Sequence, residues 1–248
     1  MLGRLLALML CLPLLAQAAC TRPLRVPFED WRPYSFMADG QHTGLETELL
    51  ATVAKEAGCS VDYVREVPRN RRLPMLLAGE LDLLIAATPR QGDAAWYTRP
   101  YREESLGVFM RADEARKDVH SLDELLHAHL RLVTHRGPAS VPIIEEFRAR
   151  GQLTQFEEYA RGVQLMQQGH GDVLFGDSIA IAFAARAAEV PLIELPIKLQ
   201  RPPVTYKLSR KSLTEADLRA FNAAIQRLEA RGELQRIRAR WLGDAGKR

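Results

Sequence analysis

The sequence predicts an α/β protein with room for two domains, and three observations carry that reading. First, Leu45, Leu49, Val53 and Ala57 recur at helical spacing, Gly58 stops the helix, and Cys59–Val64 reads as a strand. With the short strand Leu24–Phe28 ahead of it this makes a strand–helix–strand unit, so the two strands should lie parallel. Second, the order returns later: Leu165–Gln168 ends a helix at Gly169, and Val173-Leu174-Phe175 follows as a buried strand. Third, 248 residues is enough for two domains of ordinary size, each burying its own core.

Composition excludes some partners. Lys and Arg number 34 against 31 Asp and Glu, a net charge of +3. That is too small for nucleic acid, and no dense basic patch appears beyond the C-terminal helix. Residues 1–19 read as a secretion signal: Arg4, the apolar run Leu5 to Leu15, then Ala16-Gln17-Ala18 before the cut. The mature chain is therefore expected to be soluble and to work in an oxidising compartment, the periplasm. Cys11 leaves with the leader, and the even pair Cys20 and Cys59 argues for one disulfide. The competing reading is a lipid on Cys20, although Gln17 stands where lipoprotein signals usually carry Leu.

In chain order, the first strand runs into Trp31-Arg32-Pro33-Tyr34, a loop whose two aromatics either stack on a ligand or pack beneath the loop. Asp39-Gly40 is a turn. Pro68 opens a helix with Leu73, Leu76 and Leu77 facing in and Pro74 confined to its first turn. Arg71, at its start, either points into a crevice or is a solvated basic residue. Gly79 ends this helix, and Leu81 to Ala87 reads as a strand buried on both faces. Thr88-Pro89-Arg90 breaks the strand where a parallel sheet would open onto a ligand crevice.

Ser105–Arg111 reads as a crossover into the second domain, and Ser121-Leu122-Asp123-Glu124 as a capping box. Leu130–Thr134 is then that domain's first strand. Gly137-Pro138-Ala139-Ser140 opens a helix with Val141, Ile144 and Phe147 inside, and a helix start after a strand favours an anion. Asp177, at the end of a buried strand, is either a site residue or the cap of the helix Ser178–Ala188. Pro202–Leu208 is the return crossover. Leu218, Phe221, Ile225 and Leu228 mark one face of a helix from Thr214 to Arg231, with Gly232-Glu233-Leu234, Ile237 and Trp241-Leu242-Gly243 beyond it.

Three of these patterns together resemble a family. They are G-x-x-D, apolar strand, T-P and later P-Y across Gly79–Tyr101; a run like G-x-x-D-apolar-apolar-x-D, one apolar residue longer, across Gly169–Asp177; and G-x-L-x-x-I-x-x-x-W-L-G at Gly232–Gly243. The chain resembles the extracellular solute-binding proteins, family 3, of bacterial amino-acid uptake systems. The resemblance implies the type II periplasmic-binding fold: two Rossmann-like α/β domains joined by two crossover strands. Domain one would hold 20–109 with 206–248, and domain two 110–205. It further implies a ligand wall of Trp31, Tyr34, Arg71, Thr88, Arg90, Ser140 and Asp177. Thr88 and Arg90 would hold a carboxylate, with Arg90 one residue ahead of the family's arginine position at Gln91. Asp177 would hold an ammonium group.

The implied function is capture of a small polar or charged ligand, an amino acid or related compound, by hinge closure and delivery to an ABC permease by a monomer. Two alternatives share the fold: a sensor for a membrane receptor, and a cyclohexadienyl dehydratase-like enzyme in which Glu103 or Glu104 supplies the acid. The six histidines lie in no ligand-like spacing, and no nucleophile elbow, P-loop or dinucleotide glycine pattern occurs. No metal, cofactor or catalytic role is therefore expected.

Overall fold

The computed structural model describes residues 20–65, 67–114, 116, 118–136 and 142–242. The expected secretion signal, Gly137 to Val141 (and with them Ser140) lie outside the described residues. The first lobe begins with β1 (Leu24–Pro27), a hairpin of β2 (Phe36–Ala38) and β3 (Gln41–Thr43), α1 (Leu45–Glu56) and β4 (Val61–Val64). It continues through α2 (Arg69–Ala78), β5 (Leu83–Ala87), β6 (Trp96–Tyr97) and β7 (Arg102–Glu103). Then come β8 (Leu106–Arg111), α3 (Leu122–His127), β9 (Leu132–His135), α4 (Pro142–Ala149) and β10 (Leu153–Phe156). After these follow α5 (Tyr159–Gln167), β11 (Val173–Asp177), α6 (Ser178–Ala187) and β12 (Leu192–Glu194). The chain returns through β13 (Pro203–Leu208) to α7 (Glu215–Ala230) and α8 (Glu233–Leu242).

Strand pairing separates two groups of strands, the first made of the pair β1-β4 and the set β5-β13-β6 with β7 on β13, the second of one five-stranded sheet. In the first, β1 and β4 are parallel, with Val26 opposite Tyr63, as the strand–helix–strand order requires. β13 lies antiparallel between β5 and β6. The Asp82 N–H, bonded to the Arg25 carbonyl at 2.9 Å, sets the start of β5 beside β1. The second sheet runs β10-β9-β11-β8-β12, with β8 antiparallel to both its neighbours. By pairing, β8 therefore belongs to the second sheet and β13 to the first. We propose that the lobes divide between Glu103 and Leu106 and between Glu194 and Pro203. Cuts at 109/110 and 205/206 would fall inside paired strands.

Each lobe has its own core. Val26, Leu49, Val53, Tyr206, Phe221 and Leu228 are all buried in the first. In the second, β11 alternates faces: Val173 and Phe175 join Leu132 and Phe147, while Leu174 joins Val133, Met166 and Ile181. That strand is covered by helices on both sides.

Four local expectations are corrected. In α2 only Leu76 is buried, while Leu73 and Leu77 are 40% and 37% exposed. The helix meets Val67 and Leu81 through Leu76, with Met75 half-buried beside it, and the row carrying Leu73 and Leu77 is left to solvent. Pro74 sits mid-helix rather than in the first turn. It is exposed, so the carbonyl its missing N–H leaves unbonded faces water. In β5 only Leu83 is fully buried. The pairing with β13 shifts register between Thr205 and Lys207, and Ala86 takes a φ of 51°, a bulge that turns the strand end outward. At α3, Ser121 caps the Glu124 N–H, but the Glu124 carboxylate reaches the N–H of His120 rather than of Ser121.

Two ties fasten the chain's start. Cys20 is bridged to Cys59, just beyond α1, closing a loop of sequence separation 39. Asp82, wholly buried, accepts bonds from the Arg22 guanidinium (2.6 and 2.8 Å), the Arg25 guanidinium (2.9 Å) and the Arg25 N–H (2.7 Å). Burial alone would raise its carboxyl, but these donors outweigh it and hold it well below the usual carboxylate range.

Asp82→Asn is expected to lower stability at pH 7 by about 3 kcal/mol, the cost of leaving a paired charge unmatched, reduced because the arginines are partly solvated. The native carboxyl titrates below the unfolded one, whose pKa is about 4. The wild-type advantage is thus full above that value and disappears as pH falls below it. Urea unfolding of both proteins at pH 7 and pH 3, with the disulfide intact, checks both expectations. Cys20→Ala with Cys59→Ala should lose about 4 kcal/mol in the same assay, by loop-closure entropy.

Candidate functional site

The site grows out of the loop after β1. Trp31 and Ser35 bond across it, with N···O 2.6 Å, and the Tyr34 N–H donates to the Trp31 carbonyl at 2.7 Å. The Tyr34 ring stacks on Trp31, centroids 4.2 Å apart, and is wholly buried. Helix α1 then straps the loop down: the N–H groups of Glu46 and Thr47 both reach the Tyr34 carbonyl. Those are donors with no partner inside the helix, so the loop carbonyl caps it. Residue 44 has to be glycine, because its φ is 119° and a Cβ there would lie 2.3 Å from the Tyr34 oxygen.

Helix α1 also carries a buried charge. The Glu46 carboxylate is wholly buried and accepts from the Arg102 guanidinium at 2.5 Å and from the Tyr101 hydroxyl. Arg102, in β7, lies with its guanidinium 5.1 Å from the Tyr34 ring centre. Burial works against its charge, yet Glu46 and the surrounding oxygens keep it firmly protonated. Tyr101 is stacked on Tyr206 at 4.1 Å and also accepts the Ala86 N–H. The bulge in β5, the segment that leaves lobe one and the start of α1 are thus joined by one pair of charges.

From the other lobe comes Asp177, at the end of β11. Its Oδ1 accepts the Ala180 N–H at 2.8 Å, the bond of a helix cap. The Tyr34 hydroxyl, 2.7 Å from each of its oxygens, donates to the carboxylate across the seam. The Asp177 N–H in turn donates to the Tyr159 hydroxyl at 3.1 Å. Burial pushes the Asp177 carboxyl up despite the Ala180 N–H, the Tyr34 hydroxyl and Arg102. Burial and the neighbouring Asp177 likewise push the Tyr34 phenol well above its ordinary range.

Around this contact lie further polar groups. Glu104 is half-buried, its carboxyl raised by burial and by Asp177 against the pull of Arg102, while Glu103 is exposed. His135 stacks on Tyr159 at 5.5 Å, with Nε2 2.8 Å from the Glu157 carbonyl, and burial lowers its pKa. Glu29 is paired with both Arg69 and Arg72 at the start of α2.

Trp31, Tyr34 and Asp177 therefore come together, and Asp177 is a helix cap while facing the other lobe. Arg71, Thr88 and Arg90 are exposed, and among the described residues no ion pair joins Arg90 to Asp177. Arg90 instead acts on Asp93, in its own loop, which is ion-paired with Lys207 at 2.7 Å. Sequence reasoning missed Glu46, Tyr101 and Arg102. One signal was there: Glu46 precedes Leu50 by four residues and Ala54 by eight, an acid on the widened apolar stripe of α1.

The sequence model of the bacterial extracellular solute-binding proteins, family 3, matches residues 24–244. Among curated relatives, the glutamate-binding protein GluB of Corynebacterium efficiens is 24% identical over 218 residues, covering 83% of this chain and 73% of the relative. The L-cystine-binding protein TcyA of Bacillus subtilis is 22% identical over 212 residues, 82% of this chain and 73% of its own length. Among solved structures, a histidine kinase sensor domain similar to periplasmic binding proteins superposes with a TM-score of 0.74 at 19% identity, covering 91% of this chain and 97% of that one. An ancestral cationic amino acid solute-binding protein superposes at 0.71 and 23% identity, covering 88% and 95%. These likenesses bear out the α/β fold of the type II periplasmic-binding class.

Glu46→Gln is expected to destabilise the protein by about 3–5 kcal/mol, because it leaves the buried Arg102 cation without its counter-charge. Removing both charges, Glu46→Leu with Arg102→Leu, should recover much of that loss. Urea unfolding of Glu46→Leu, Arg102→Leu and the double variant measures the coupling, and additive effects would show that the pair is not a unit.

Proposed function

The chain belongs to the bacterial extracellular solute-binding proteins, family 3, and from that premise we propose that it captures an amino acid or related small polar solute between its lobes by hinge closure. The observation that supports this most is the meeting of Asp177, at the end of a strand in one lobe, with the Trp31–Tyr34 loop of the other. A strand end facing a loop across two lobes is where α/β sheets bind small ligands. The two segments that pass between lobes, at Glu104-Ser105 and before Pro203, are held by the Glu104 N–H on the Pro202 carbonyl and the Ser178 N–H on the Ser105 carbonyl. Few residues link the lobes, which suits a hinge.

In this reading Trp31 forms an apolar wall, Asp177 takes the ammonium group, and Thr88 and Arg90 take the carboxylate when the exposed turn after β5 folds over the ligand. Arg71 and Ser140 complete the rim. A ligand favours the closed form only through contacts it makes with both lobes. The closed protein then delivers its solute, as an exported monomer, to an ABC permease. Glutamate and cystine, named for the relatives, are the first solutes to test.

A second reading draws on Glu104. A half-buried acid with a raised pKa is a suitable proton donor, and a dehydratase acting on a cyclic acid would need one. We place binding without turnover ahead of it, in keeping with the solute-binding relatives. Consumption of prephenate by the purified protein would reverse that order.

A thermal-shift panel of L-amino acids, polyamines and small organic acids tests the first reading. A true ligand at about 100 times its dissociation constant should stabilise the protein by roughly 2.7 kcal/mol. Arg90→Ala and Asp177→Asn, the latter retaining an acceptor for the helix cap, should each weaken that ligand about tenfold or more. If calorimetry finds both affinities unchanged, the proposed wall is wrong.

A further inference from the structure

We propose that the Tyr34 hydroxyl is a clasp: it fills the Asp177 carboxylate when the lobes meet, so that a ligand's cationic group has to compete with it for that acid. The inference rests on reading Asp177 as the ligand-facing acid.

Both partners are fixed before they meet. From lobe one, the Tyr34 ring is wholly buried, stacked on Trp31 and covered by Arg102, and its carbonyl is held by the first turn of α1. From lobe two, Asp177 is held by the Ala180 N–H on its Oδ1 and by its own N–H on Tyr159. Neither side chain is free to swing toward the other, so the two 2.7 Å contacts are made by how the lobes are placed. The surroundings agree. Ala180 is wholly buried within the lobe-one core, with Ile179 and Tyr159 packed at its margin. Bringing the first turn of α6 onto lobe one is therefore what takes Asp177 out of water.

A carboxylate taken out of water needs donors. The phenol bridges both oxygens, the atoms a ligand ammonium would have to bond, and it does so without bringing a charge. Closure in this chain consequently does not wait for a cation. Tyr34 sets specificity, because compounds offering an ammonium must displace a donor already in place, and it also sets how far the empty lobes stay apart.

The test is Tyr34→Phe, which removes the hydroxyl and keeps the ring. Lobe separation without added solute is read by electron-resonance distances between nitroxides on Lys55→Cys and Arg148→Cys, both exposed positions in opposite lobes. The Cys20–Cys59 bridge keeps the native cysteines from the label. Calorimetry with L-glutamate, L-glutamine and L-arginine gives the affinities. The clasp predicts a larger long-distance population in Tyr34→Phe, and about tenfold tighter binding of whichever compound binds (about 1.4 kcal/mol). Asp177→Asn should separate the lobes similarly while weakening the same compound. An unchanged distance distribution, or weaker binding by Tyr34→Phe, overturns the clasp. If the lobes separate but none of the three compounds binds either protein, the clasp stands and the amino-acid reading of the site falls.

Discussion

The seam between the lobes depends on one buried pair of charges, Glu46 and Arg102. Neither group could be held away from water alone, since an isolated buried ion is among the most unfavourable features a fold can contain. Together they organise what surrounds them. Glu46 comes from the first turn of α1, and Arg102 from the last strand before the chain leaves lobe one. The Tyr101 hydroxyl donates to the second oxygen of Glu46, and the Arg102 guanidinium lies over the Tyr34 ring. The aromatic loop, the bulged strand end and the exit segment are thereby set in one arrangement.

What reaches lobe two is weaker by design of its chemistry. The contact from Tyr34 to Asp177 is a single hydroxyl on a carboxylate, and such a bond contributes on the order of 1.5–3 kcal/mol net. Glu46–Arg102, by contrast, is shielded on every side within lobe one. The gradient runs from a strong, fully enclosed pair to a modest contact at the seam. Parting the lobes gives up that contact and the packing of Ala180 against lobe one, and leaves the Glu46–Arg102 pair in place.

Much of the fold was legible because periodicity reports burial. The stripe of α1, Gly58 behind it and the buried run of β11 all appear in the structure where helical and strand spacing put them. The helix cap at Asp177 was legible as well, since an acid between a buried strand and a helix ordinarily caps that helix. The failures have a common cause. Leu73 and Leu77 sit on a helix that touches its core along one row, and spacing alone cannot show how wide a contact will be. Ala86 adopts a left-handed backbone at a bulge, which nothing in an alanine announces. Arg102 sits in an unremarkable stretch, and its burial is created by Glu46 more than fifty residues away. Long-range pairs of that kind leave only half a signal, an acid on an apolar stripe.

The exposed turn after β5 carries a different lesson. Thr88 and Arg90 stand in solvent while the acid in the opposite lobe is already enclosed by protein donors. A zwitterion spanning such a gap would find one end of its site prepared and occupied, and the other unformed. Binding would then have to displace a phenol at Asp177 and order a loop at Thr88–Arg90, and ordering each residue opposes binding by roughly 1–2 kcal/mol. A ligand able to do both must gain from contacts at each end, which confines the choice to molecules with two separated polar groups. Selectivity here would arise from the two costs set against binding as much as from the attractions that favour it.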